Sequence, residues 1–165
     1  MTDRTQPTRR ALLRGVAAGA ALTLGGCTSF GRETYSFAFS GLSGGDTLAA
    51  VNAARGEGGR GPMRIDRKAQ KAAERHARDM ARAGKMAHEL PGGPRFGARM
   101  ERDGIRTLAA ENVAWGQRDV GRAVTAWMNS PGHRRNMLDK RFDGVGVASA
   151  QGRDGRLYWA MILVP

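Results

Sequence analysis

One cysteine in 165 residues excludes an intramolecular disulfide framework and a zinc site built on thiolates. Lysine is also scarce. Of 27 basic side chains only Lys68, Lys71, Lys85 and Lys140 are lysines; the other 23 are arginines. With 15 acids the formal net charge is +12. An arginine skew of this kind arises from codon bias without selection on charge, so the charge permits an acidic partner without requiring one. Proline is rare at 6 residues, and the 24 glycines follow no triplet period, which excludes a collagen-like chain and leaves many turns. No internal repeat is visible. Apolar residues at 41% and charged residues at 25% exclude disorder of the whole chain, and the length suits one domain.

Long hydrophobic runs are missing too. The longest uncharged apolar stretch is Gly15 to Gly26, which as a helix rises about 18 Å against a hydrocarbon core of roughly 30 Å. It fits the apolar region of a signal peptide better than a permanent membrane span. Arg9 and Arg10 precede it, as in a twin-arginine export signal. It ends in Leu24-Gly25-Gly26-Cys27, which resembles a bacterial lipobox, and the only cysteine of the chain falls where acylation needs it. Residues 1–26 are therefore expected to be a lipoprotein signal peptide, and the protein to be exported and anchored at the periplasmic side of the envelope through acylated Cys27. Without residues 1–26 the chain keeps 23 basic and 14 acidic residues, a net charge of +9.

Residues 27–45, rich in Ser and Gly, read as a tether, with Tyr35, Phe37 and Phe39 alternating as in a short edge strand. Residues 46–165 read as the folded domain. Asp46 is placed to cap a helix ending near Gly56. Asp66 caps a long helix through Ala83, stopped by Gly84 and carrying an inward stripe of Ala69, Ala72, Ala73, His76, Ala77 and Met80. A loop rich in Pro and Gly spans 88–97, and a short helix is expected over Arg95–Arg102. Asp119 opens a helix with Val120, Ala123, Val124 and Trp127 inward. Ser130 and Pro131 open another, as cap and first position. Gly144–Ala150 and Leu157–Val164 read as strands joined by a turn at Gly152–Gly155. Helices followed by a hairpin predict an α+β domain, with helices packed on a small antiparallel sheet.

Several segments, in order, resemble the CAP superfamily, the domain of cysteine-rich secretory proteins, antigen 5 and pathogenesis-related proteins, in its bacterial branch. Asn52-Ala53-Ala54-Arg55 resembles its first-helix signature. His76-Ala77-Arg78-Asp79-Met80-Ala81 with His88 resembles the second, and Ala110-Glu111-Asn112-Val113-Ala114 the segment written ENxA. The run Trp127-Met128-Asn129-Ser130-Pro131-Gly132-His133-Arg134-Arg135-Asn136-Met137-Leu138 is close to the bacterial signature as written. Gly144-Val145-Gly146-Val147 and Tyr158-Trp159 resemble the terminal strands. The resemblance spans about residues 46–165 and implies a three-layer α-β-α sandwich. It also implies a cleft built on two histidines and two acids. His88 and His133 match the histidines and Glu111 the first acid; the second acidic position holds Ser130, and Ala160 and Met161 stand where small polar and Gln residues are common.

On their own chemistry, two imidazoles and a carboxylate can bind Zn²⁺ and leave one position for water, although His88, Glu111 and His133 lack local metal-motif spacing. Near the start of its helix His133 is expected to be neutral. The alternatives are a helix-start histidine bonded to a loop, and a glutamate tying down backbone amides. Asn112 either orients the cleft through its amide or stabilises a turn. His76 reads as a satisfied core or boundary histidine, Ser130 as a cap bonded to backbone, and Trp115, Trp127 and Trp159 as core. No nucleic-acid reader motif is present. Three functions follow, in this order: a non-catalytic binding module for a lipid-like or cell-envelope ligand held by His88, Glu111, His133 and Asn112, as the resemblance implies; a protein-interaction module; and a metal-assisted hydrolase on His88, Glu111 and His133. A monomer is expected.

Overall fold

The computed structural model describes residues 44–165. Arg9, Arg10, Cys27, the tether and the alternating Tyr35, Phe37 and Phe39 lie outside the described residues. The order of elements is α1 (Gly44–Glu57), β1 (Arg64–Ile65), α2 (Arg67–Ala83), α3 (Phe96–Arg102), β2 (Ala110–Trp115), α4 (Val120–Asn129), α5 (Pro131–Met137), β3 (Gly144–Gln151) and β4 (Leu157–Val164).

The last strand dictates the layering. Successive side chains of a strand point to opposite faces, and in Leu-Tyr-Trp-Ala-Met-Ile-Leu-Val both parities are apolar, so β4 must be covered on both sides. Trp159, Met161 and Leu163 enter one core with Val51 of α1, Val124 and Trp127 of α4 and Met137 of α5. Tyr158, Ala160, Ile162 and Val164 enter the other with Ala69, Ala73, Ala77 and Met80 of α2 and Met100 of α3. The result is an α-β-α sandwich. Full burial of each large aliphatic side chain in these cores is worth about 1.5–3 kcal/mol.

The sheet order is β1-β3-β4-β2. β3 and β4 form the expected antiparallel hairpin, and β2 pairs antiparallel on the far side of β4. Two strands escape the sequence reading. β1 is only two residues and pairs parallel to β3, so the sheet is mixed rather than purely antiparallel. β2 places Glu111 and Asn112 side by side, both buried, which hides the apolar alternation that marks a strand. Its outward carbonyls are not left open: Asn136 Nδ2 donates to Glu111 O at 3.4 Å and Trp127 Nε1 to Val113 O at 3.1 Å.

α2 behaves as read. Asp66 accepts from the Lys68 and Ala69 amides, and Gly84 closes the helix in the left-handed region at φ 60°. Its alanine stripe lets the helix lie close on the sheet. At Gly146 of β3 an added Cβ would sit 2.1 Å from the Gln70 amide nitrogen, so only glycine allows this approach. Gln70 locks the contact, donating to Val147 O and accepting from Val147 N. On the opposite layer Arg55 is buried and donates to the carbonyls of Gly61, Met137 and Phe142, tying α1 to the end of α5. Asn52 pairs with both backbone groups of Met63. Two expectations need correction. The Ser130 side chain makes no capping hydrogen bond, its position being held by backbone and Pro131. Asp46 lies inside the first turn of α1 rather than at its cap.

Candidate functional site

The fold brings His88, Glu111 and His133 together at one end of β2. Glu111 projects from β2 onto the α2 side of the sheet, and α3 lays Arg99 beside it. Arg99 Nη1 donates to Glu111 Oε2 at 2.9 Å and Nη2 to Oε1 at 3.0 Å, a bidentate pair between two buried side chains. The same Nη2 donates to the backbone carbonyl of His88 at 2.8 Å, fixing the loop after α2. His88 Nδ1 lies 3.0 Å from Glu111 Oε1, and against a carboxylate it is the donor, which leaves Nε2 available. The His88 side chain is 54% exposed.

His133 comes from α5 on the other side of the sheet's end. Its ring centroid is 6.3 Å from that of His88, with the planes tilted by 52°. Asn112 carries α5 into place: it is fully buried in β2, donates Nδ2 to His133 O at 3.1 Å and accepts from Asn136 Nδ2 at 2.9 Å. It therefore orients the cleft from within a strand and stabilises no turn. Met161 is buried beneath it, with sulfur 3.9 Å from Nδ2.

The electrostatics separate the two histidines. The hydrogen bond to Glu111 raises the His88 pKa above its ordinary 6.5, against an opposing effect of burial. Burial lowers that of His133, and the neighbouring charge of His88 adds to the shift. His133 is thus favoured as neutral, as expected, but through burial rather than through its helix. Burial alone would push Glu111 up; the hydrogen bonds from His88 and Arg99 outweigh it and hold the carboxylate below its ordinary 4.5. With Glu111 neutralised by Arg99, a protonated His88 leaves the cleft positively charged.

His76 is 2% exposed, as its place on the α2 stripe predicts. It is also part of the cluster. Nε2 lies 3.0 Å from Ala87 O and 3.7 Å from Glu111 Oε1, while burial lowers its pKa and favours the neutral ring. The alternative reading of Glu111 as a tie for backbone amides is not met, because its partners are side chains. Sequence reasoning missed Arg99 and Asn136. Nothing marked Arg99 out among 23 arginines. Asn136 follows His133 by three positions, on the same helix face, and that spacing was its available signal.

The zinc reading of His88, Glu111 and His133 does not fit this donor set. Both oxygens of Glu111 are engaged by Arg99 and His88, and among the described residues no group of three or more His, Cys, Asp or Glu side chains is arranged to hold a metal ion. The three tryptophans divide. Trp127 and Trp159 are core at 1% and 0% exposure, with indole N–H groups donating to Val113 O and Gln117 O. Trp115 is 41% exposed, contrary to expectation, because β2 is an edge strand and this residue ends it.

Comparison with known proteins agrees with this architecture. The family model for CAP, the cysteine-rich secretory protein family, matches residues 48–163. The protein YkwD of Bacillus subtilis is 39% identical over 100 residues, covering 59% of this chain and 38% of that protein. The structure of an extracellular protein containing an SCP domain from Bacillus anthracis superposes with a TM-score of 0.63 at 26% identity, covering 73% of this chain and 39% of that one. An outer surface protein of Borrelia burgdorferi gives a TM-score of 0.63 at 21% identity, covering 70% and 86%, and shows the shared fold. The chain thus spans less than two-fifths of the length of either Bacillus protein. The match over residues 48–163, the α-β-α layers and the His88–Glu111–His133 neighbourhood agree: the chain belongs to the CAP, or cysteine-rich secretory protein, family in its bacterial form.

Proposed function

We propose that this protein is an exported binding module of the cell envelope, non-catalytic, which holds a lipid-like or envelope-derived ligand in the cleft between His88 and His133. The carrying observation is the state of Glu111. A carboxylate gripped at both oxygens by a buried arginine is a structural counter-charge, held ionised and turned away from reaction. What the cleft offers a ligand is the His88 ring, cationic when protonated, beside a neutral His133. No Ser, Cys or Thr nucleophile is hydrogen-bonded to either ring among the described residues, so the elements of covalent catalysis are missing there. Export is supported by the extracellular and outer-surface descriptions of the similar structures, and anchoring by the Cys27 sequence.

The test is mass spectrometry of what co-purifies with the native protein, set beside the His88→Ala/His133→Ala double variant. Retention of one class of lipid-like or envelope molecule by the wild type and its loss from the double variant is the expected result. Equal retention by both, or by neither, would overturn the proposal. Metal analysis of the same samples is expected to give equal Zn²⁺ in wild type and double variant.

A further inference from the structure

The end of the sheet that carries Trp115 has no role in the cleft. Trp115 is the only exposed Phe, Tyr or Trp among the described large hydrophobic residues. Its indole N–H has no partner among the described residues, whereas those of Trp127 and Trp159 are satisfied. The guanidinium of Arg156 lies 4.4 Å from the Trp115 ring centroid, and Tyr158 supports the ring at 6.2 Å. Beside it runs a groove of about 400 Å³ lined by Gly116, Gln117, Arg118, Gln151, Gly155, Arg156 and Leu157. That lining holds two arginines, two glutamines and no carboxylate. Arg118 makes no hydrogen bond or ion pair among the described residues, and the Gln117 side-chain oxygen is buried without a partner.

The acids nearby are already committed. Asp119 caps α4 and pairs with Arg122 at 3.3 Å. Asp154 accepts from the Tyr158 hydroxyl and the Arg156 amide, and lies 3.7 Å from Arg156 Nη1. The end therefore stays net positive around one exposed ring with a polar tip. An amphipathic indole with a free N–H, flanked by arginines, matches the boundary between lipid headgroups and acyl chains. Arginines beside it match anionic headgroups.

We propose that the Trp115–Arg118–Arg156 end of the sheet is a membrane-docking surface that seats the domain on an anionic bilayer. It is a different surface from the His88–His133 cleft, and its occupant is the bilayer rather than a soluble anion. Docking here is independent of any acyl anchor and turns the domain to a fixed orientation at the membrane.

The experiment uses the full chain carrying Cys27→Ser, so that no acyl group holds it, and vesicles of phosphatidylcholine with or without phosphatidylglycerol. The apolar Gly15–Gly26 segment and its flanking arginines are common to the wild type and every variant, so comparison among variants on the same vesicles removes their contribution. Anionic vesicles are expected to blue-shift the tryptophan emission, a signal lost in Trp115→Phe because Trp127 and Trp159 are already buried. Arg118→Glu/Arg156→Glu is expected to weaken partition onto anionic vesicles at least 10-fold, while Arg67→Glu/Lys71→Glu, with the same change in net charge, weakens it less than 3-fold. His88→Ala/His133→Ala is expected to dock as the wild type does, which keeps this outcome separate from that of the cleft. Equal losses in the two charge-reversed variants would show a general charge effect and overturn the proposal. So would an unshifted emission, or inorganic phosphate at millimolar concentration displacing the protein at constant ionic strength, which would mark a small-anion site.

Discussion

At the residue scale the decisive side chain is Arg99. Its two terminal nitrogens engage both oxygens of Glu111 and the carbonyl of His88, so one guanidinium sets the carboxylate and the loop that presents the exposed ring. Replacing it by a methionine of similar length leaves Glu111 buried with only the half-exposed His88 ring to offset its charge. Arg99→Met is expected to destabilise the domain by roughly 3–5 kcal/mol in urea unfolding, the cost of breaking a buried ion pair from one side. A loss below about 1 kcal/mol would mean that Glu111 finds water or protonates instead. The same residues separate the histidines. Ring-proton NMR titration is expected to give His88 a midpoint above 6.5 and His76 and His133 midpoints below it. One shared midpoint would contradict the cluster as described.

At the scale of elements, two close approaches make the site possible. The first is α2 against β3. Gly146→Ala puts a methyl into the backbone of Ala69 and Gln70, and forces helix and sheet apart. Overpacking of this kind costs typically about 1–3 kcal/mol, and here the neighbour is backbone, which cannot rotate away. A thermal melt unchanged from wild type would disprove that contact. The second is α5 against β2. Asn136→Ala strips the donor from the buried Asn112 oxygen and from Glu111 O, at roughly 1–3 kcal/mol for the unsatisfied group. It should also move the His133 ring resonances, since Asn112 holds the His133 carbonyl. Unchanged His133 shifts would place its support elsewhere. Helix limits were readable here because caps are local: Asp66, Gly84 and Asp119 act through their own neighbours. β1 and β2 were not, since a two-residue bridge and a strand carrying two adjacent buried polar residues have no local signature.

For the whole molecule, the shifted groups set a stability profile against pH. Glu111 is held below 4.5, so its stabilisation is complete above that value and is lost as pH falls through the lowered folded-state pKa. His76 and His133 are depressed, so their neutral-state stabilisation is full above 6.5 and declines as pH falls below it. His88 is raised, so its contribution is full below 6.5 and disappears as pH rises through its folded-state value. Together these predict a maximum of stability near pH 6.5, a decline toward pH 5 and a further fall below 4.5. Urea midpoints measured from pH 4 to 8 check this, and a flat profile across that range would contradict the assigned directions.

By itself the sequence determined the helices, the caps at Asp66, Gly84 and Asp119, the terminal hairpin, the family and, through the family resemblance, the set His88, Glu111, Asn112 and His133 as residues that would meet. The elements depend on local periodicity; the set depends on the resemblance of several short segments, in order, to the family. Only the tertiary structure decided what the meeting does. Arg99 and Glu111 are twelve positions apart, with a helix end, a loop and a strand start between them. No local pattern shows that this guanidinium, among 23, closes both oxygens of the carboxylate and removes it from the zinc set. Trp115 depends on the fold in the same way. Apolar in sequence like Trp127 and Trp159, it ends exposed because the order β1-β3-β4-β2 leaves its strand at the edge, and strand order is fixed by which surfaces pack rather than by any residue's own preference.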